Sequence, residues 1–193
     1  MLIYPHLESR RIKLVPGSIS RESYEIFLQS GIESLPTLDR YLEEFRPDEV
    51  SAYFYVDLQA TGERVGVTTL HAMNPNAGHI EAGLYIGDKG KGAPGVGHEA
   101  GLLTINYAFA MWNVRKVYIK TTEASIPSLG SKLGNLKREA ILPDHFFFCG
   151  RLWDVHIYAV YRVDWEAGIG EYLRDRIVAD AESDQSAKLA QQA

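Results

Sequence analysis

The chain contains a single cysteine, Cys149, in 193 residues. An internal disulfide needs two, so no disulfide framework holds the fold, and a reducing cytosol is the expected location. No Cys/His cluster has the spacing of a zinc site, so no metal is expected. No apolar run is long enough to span a bilayer, and the opening MLIYPHLESRR lacks a signal-peptide core, so no membrane association is expected. Basic residues are also too few. Twenty Lys and Arg against 25 Asp and Glu leave a net charge of -5. The basic stripe that neutralises nucleic-acid phosphates is absent, which argues against a nucleic-acid partner. There is no internal repeat.

What is present suffices for one core. Hydrophobic residues make up 46% of the chain, which predicts a single domain over residues 1–165. From Glu166 the sequence turns polar, and Glu182 to Ala193 has no aromatics. Residues 166–193 are therefore expected to form a C-terminal extension that is partly disordered.

Periodicity sets the order of elements. Arg10 to Pro16 alternates as a first strand. Ser18 to Ser20 can cap a helix through Tyr24, Phe27 and Leu28, ended by Gly31. A second helix follows Pro36 and stops at Pro47. Ala52 to Leu58 and Arg64 to His71 read as strands joined by a hairpin turn at Thr61-Gly62. Met73 to Gly78 reads as a loop. His79 to Gly87 is a strand with Ile80, Ala82, Leu84 and Ile86 on one face and Glu81, Gly83 and Tyr85 on the other. Val96 to Trp112 is an apolar helix. Arg115 to Thr121 is a strand, Ser125 to Leu133 a short helix, and Ala140 to Phe148 and Leu152 to Tyr161 two strands meeting at Cys149-Gly150. The order β-α-α-β-β-β-α-β-α-β-β predicts an α/β (α+β) fold, a mixed, mostly antiparallel sheet flanked by helices around one central crossover.

That crossover carries the chemistry. Between its first strand and its helix lies Asp88 to Gly95, with three glycines and one proline. Helix-start N–H groups lack intrahelical partners, and the helix dipole adds positive charge there. Glycines admit a ligand close to the backbone, so the loop suits an anionic phosphate ester. Gly90-x-Gly92-x-x-Gly95 matches the dinucleotide fingerprint, but the repeated βαβ units of that fold are missing. No Gly-Lys-Ser/Thr follows, which excludes a P-loop.

The element order and several segments resemble the GNAT N-acetyltransferase superfamily, in particular its RimJ/RimL-like branch. The resemblance covers Leu7 to Trp165. It rests on LESRRIKLVP, GERVGVTTLHAMNPNAGHIEAGLYIGDK, GVGHEA, EASIPSLGSKLGNLKREA and GRLWDVHIYAVYRVDW, in that order. It implies an acyltransferase that moves an acetyl or other short acyl group from acyl-CoA, a co-substrate, to a primary amine. The fourth strand and the strand after it are expected to part and admit the pantetheine arm beside Tyr85, Ile86 and Gly87. The pyrophosphate is expected on the backbone of Gly92, Ala93, Gly95, Val96 and Gly97, with Lys91, His98, Thr122 and Ser125 nearby. The chain departs from the family pattern at three places. Gly92 stands where an Arg or Gln is usual, Thr122 replaces an Asn, and Gly130 replaces a Tyr. Pro94 also removes a backbone donor, while Lys89 and Lys91 offer charge upstream.

Glu81 is the expected general base, a charged residue within an apolar strand. Tyr85 on the same face is expected near the thioester, and His71 could order the acceptor or relay a proton. Asp144 and His145 could line the acceptor pocket. Tyr53, Tyr55, Trp153 and Tyr158 favour a small-molecule amine over a protein terminus. A monomer or homodimer is expected. The rival reading is a non-catalytic GNAT-like domain that binds acyl-CoA or a protein partner.

Overall fold

A computed structural model of the protein describes residues 3–32, 35–44, 49–87, 95–123, 125, 136–148 and 150–178. Its elements are β1 (Ile12–Pro16), α1 (Arg21–Gln29), α2 (Leu38–Glu44), β2 (Val50–Leu58), β3 (Arg64–Asn74), β4 (His79–Ile86), α3 (Val96–Met111), β5 (Lys116–Thr121), β6 (Lys137–Phe148) and β7 (Arg151–Tyr161). The strands form one sheet in the order β1-β2-β3-β4-β5-β7-β6. The pair β4–β5 is parallel, and the other pairs are antiparallel. The predicted mixed sheet with a central crossover is what forms.

Local chemistry explains the ends of the elements. Ser20 caps α1 in a capping box with Ser23, so the predicted start is correct. The connection from β2 to β3 spans residues 59–63 rather than a two-residue turn, with Gly62 at φ 71°. Strand β3 continues through Met73 and Asn74, which the sequence reading placed in a loop. A bulge after His71 re-pairs the strand at Asn74↔His79, and Asn74 Oδ1 then accepts the Ala77 N–H at 2.9 Å. The predicted helix over Ser125 to Leu133 lies, past Ser125, outside the described residues. So do Cys149, Phe45, Pro47 and the tail from Glu182.

The sheet has a core on each face. Helix α3 lies on one face, with Leu102, Leu103 and Ile105 buried. Each such side chain contributes about 1.5–3 kcal/mol. Ile80 of β4 is fully buried beneath it, with Ala82, Leu84 and Ile86 packed alongside. On the other face, α1 and α2 cover a smaller core of Ile26, Phe27, Tyr53, Tyr55 and Val67. The chain after β7 stays helical over residues 162–178, with π-type turns at Trp165–Ile169 and Leu173–Val178. Trp165, Leu173 and Ile177 enter the α3 core. The core thus draws on residues past 165, where the sequence reading set the domain boundary.

Candidate active site

The register builds the site. Strands β4 and β5 pair at His79↔Lys116, Ile80↔Val117, Glu81↔Tyr118 and Ala82↔Ile119, and no further. Past that point β4 keeps its ladder with β3 up to Ile86, and β5 keeps its ladder with β7 up to Thr121. The two strands fork, so one backbone edge of β4 from Gly83 to Ile86 has no strand partner among the described residues. Gly83 sits where the fork opens. A Cβ there would lie 2.7 Å from Thr69 Oγ1, so a side chain at this position would force Thr69 to shift.

Glu81 and His71 face each other across β3 and β4, with His71 Nε2 3.8 Å from Glu81 Oε2. Lys120, the first β5 residue beyond the fork, places Nζ 2.8 Å from the same Oε2. The Glu81 side chain is 18% exposed and that of Lys120 45%, so the carboxylate is the inner partner. The other ring nitrogen, Nδ1, lies 3.3 Å from Thr69 Oγ1. Burial pushes the His71 pKa below the usual histidine value, Glu81 pulls it back up, and Lys120 lowers it further. The imidazole is therefore neutral at pH 7. Ala72, next in the chain, has φ 50°, a left-handed conformation that a non-glycine residue adopts at a cost. The bulge that strains it walls a depression of about 470 Å³ lined by Glu49, Val50, Ser51, His71, Ala72 and Met73.

Tyr85 shares the Glu81 face, but its ring packs into the second core, edge-on to Phe27 at 4.7 Å. Burial raises its pKa, so the hydroxyl stays protonated and can donate but not act as a base. It has no hydrogen-bond partner among the described residues. Ile86 packs on the α3 core, and Gly87 donates its N–H to Val65 O at 2.9 Å.

At the far end of the crossover, Gly95 caps α3 with φ 84°. A side chain there would run into the Arg11 guanidinium. Arg11 Nη1 in turn lies 3.2 Å from Glu99 Oε1, in the first turn of α3. Glu99 is buried, and Ser9 Oγ donates to its Oε2 at 2.6 Å. The sequence reading missed both Arg11 and Glu99. Their pairing spans 88 positions, and no local pattern announces it. His98 faces the Tyr172 ring of the C-terminal helical segment, with centroids 6.2 Å apart. Across the fork, Thr122 is buried, with Oγ1 3.4 Å from Ser125 Oγ. Lys91, Gly92 and Ala93, like Lys89, Pro94 and Gly130, lie outside the described residues.

Other candidates fall elsewhere. Asp144 and His145 are exposed on β6, the outermost strand, two positions past β5. Asp144, at φ 47°, sits in a bulge with its N–H on Asp154 Oδ1. That placement removes both from the fork. Tyr53 and Tyr55 are buried in the second core, Tyr158 packs on the first, and Trp153 lies under Arg151 at 3.5 Å. Burial accounts for the first two without an acceptor. No group of metal-ligating side chains occurs among the described residues. No helix among them is long and apolar enough to cross a membrane.

The crossover thus brings together forked strands, a paired carboxylate and imidazole, and a glycine-capped helix. A profile of the GNAT acetyltransferase domain matches residues 10–130, and the chain belongs to that family. No curated protein matches. Among solved structures it is similar to a GCN5-related N-acetyltransferase from Brucella melitensis, at 24% identity, 83% of this chain, 80% of that one and a TM-score of 0.61. It is also similar to mutant forms of the spermidine/spermine N-acetyltransferase SpeG from Vibrio cholerae, at 16% identity, 81% and 97% coverage and a TM-score of 0.65. A probable GNAT acetyltransferase from Chromobacterium violaceum gives 15%, 83%, 87% and 0.63. At these identities the likeness is one of fold.

Proposed function

We propose that this chain transfers an acetyl or other short acyl group from acyl-CoA to the primary amine of a small molecule, in the cytosol, as a monomer or homodimer. The fork between β4 and β5 carries the reading. It leaves a backbone edge at Gly83 to Ile86 without a strand partner among the described residues, directly beside the Glu81–His71 pair, where an amide-bearing chain can pair with it. GNAT domains use acetyl-CoA in general. The quoted segments, with Glu81 inside β4, favour the RimJ/RimL-like branch.

In this reading Tyr85, Ile86 and Gly87 flank the pantetheine amides. The backbone of Gly92, Ala93, Gly95, Val96 and Gly97 takes the pyrophosphate, with Lys91, His98, Thr122 and Ser125 around it. CoA supplies an activated thioester. The acceptor enters by the depression at His71, its amine attacks the thioester carbonyl while Glu81 removes the amine proton directly or through a water, and the C–S bond then breaks so that the acyl group stays on nitrogen and CoA leaves as a thiolate that is protonated to the free thiol. His71 orders the acceptor or relays that proton, and the Tyr85 hydroxyl donates toward the acyl group. Because SpeG is a spermidine N-acetyltransferase, polyamines belong in the first acceptor panel.

Calorimetry with CoA and steady-state assays with acetyl-CoA and an amine panel test the proposal. A positioned base contributes about a hundred- to ten-thousand-fold, so Glu81→Gln should lower kcat by that factor and remove the acidic limb of the pH–rate profile. A mutant within about threefold of wild type, with its profile intact, rejects Glu81 as base. CoA binding without turnover on any amine would favour the non-catalytic reading.

A further inference from the structure

We propose that Lys120 is a positioning residue for this reaction. It pins one carboxylate oxygen of Glu81 and turns the other toward the acceptor amine. The inference rests on the acyl-transfer reading above. Three observations carry it. First, the nearest approaches of Lys120 Nζ, at 2.8 Å, and of His71 Nε2, at 3.8 Å, to the carboxylate are both to Oε2. Second, Lys120 follows Ile119, the last β5 residue paired with β4. The ammonium therefore stands at the mouth of the fork, where the proposed thioester approaches. Third, the Glu81 side chain is only 18% exposed. A carboxylate that far inside cannot reorient freely in water, so a fixed cation on one oxygen decides which oxygen is presented.

The charge has a second consequence. Facing the His71 imidazole are Glu81 from β4 and Lys120 from β5, with Thr69 on its own strand and Glu49 lining the same depression. Glu81 favours the imidazolium and Lys120 opposes it. With the lysine in place the proton from the amine goes to Glu81 and is not pre-empted by a charged His71 at the site entrance. Without it, the imidazole holds a proton to higher pH and repels an ammonium acceptor.

The test compares wild type, Lys120→Met and Lys120→Arg with acetyl-CoA and the best amine from the panel. Pinning by a charged contact supports a tenfold to hundredfold fall in kcat for Lys120→Met, with the KM for acetyl-CoA unchanged. The acidic limb of kcat/KM should move to higher pH in Lys120→Met and stay in place in Lys120→Arg. The His71 ring proton, followed by NMR titration, should move the same way. A side chain that merely stabilises the fold would change the melting temperature and leave the limb and the titration where they are. Two results overturn the proposal. One is Lys120→Met within about threefold of wild type with an unmoved limb, set against the tenfold expectation. The other is a fall in the KM for the amine at constant kcat, which would mean that the lysine only blocks the carboxylate. If the wild type acetylates no amine, acyl transfer itself fails and this role falls with it. If the wild type turns over and Lys120→Met equals it, only the lysine's role falls.

Discussion

Single residues decide how charge is held on this sheet, and Glu139 gives a second case to set beside Glu81. Its carboxylate accepts from Lys116 Nζ at 2.7 Å, from Tyr118 at 2.9 Å and from Tyr161. Lys116 first, then Tyr161 and Tyr118, hold its pKa down at about 2 against the opposing effect of burial. The folded pKa is depressed, so this contribution is complete above the usual 4.5 and is lost as pH falls toward about 2. Unfolding in urea at pH 6 and at pH 2.5 should show a stability gap between wild type and Glu139→Gln that narrows on acidification. At pH 6 the mutant should be the weaker protein, because its loss leaves the buried Lys116 ammonium without a carboxylate. A constant gap would mean that Glu139 is not held as a carboxylate by this network. Alternation put Glu81 on the same β4 face as Tyr85, but its meeting with His71 depends on the β3–β4 register and was not read from the sequence. The partners Lys120 and Glu139 were not readable. Lys120 depends on the register of a parallel pair that closes across a whole helix, and Glu139 on a bulge between Arg138 and Ala140.

At the level of elements, the proposed phosphate site asks the strand–loop–helix unit to trade helix stability for a ligand surface. Helix α3 has glycine at its cap, Gly95, and in its first turn, Gly97, although glycine costs up to about 1 kcal/mol relative to alanine inside a helix. Glu99 in that same turn would oppose a phosphate, and Arg11, just before β1, neutralises it. Gly97→Leu should therefore abolish CoA binding by calorimetry while the melting temperature stays equal or rises. Unaltered CoA affinity in that variant would place the phosphate site elsewhere. The apolar run of α3 and the alternation of β4 were legible in the sequence, the first from its length and the second from its period of two. The fork was not readable from residue patterns, because pairing ends where two distant strands diverge; it was expected only from the family resemblance. The extent of β3 was misread for a related reason. Asn74 and Pro75 look like a loop, yet a bulge lets pairing resume at Asn74↔His79.

Over the whole molecule, the core is closed by a segment whose sequence looks dispensable. Residues 166–178 are rich in charge, and composition alone assigned them to a tail. The structure folds them as an irregular helix interrupted at Gly168, where the backbone is extended at φ 176°. Broken periodicity hides the apolar residues from a 3.6-residue reading. Arg162 fastens its start, with guanidinium nitrogens donating to Phe109 O, Trp112 O and Val114 O at 2.7–3.0 Å. These carbonyls lie at and just beyond the end of α3, where a cation also favours the helix dipole. Leu173 is fully buried against the same core. If the segment belongs to the cooperative fold, Leu173→Ala should lower the unfolding free energy by about 2–5 kcal/mol. The m-value should stay unchanged, since the same surface is exposed on unfolding. If residues 166–178 only dock on a finished domain, the cost should stay within about 0.5 kcal/mol, as for a surface position. Deletion of 166–193 separates the two cases independently. A core member takes cooperativity with it, whereas a docked tail leaves a sharp transition and intact CoA binding.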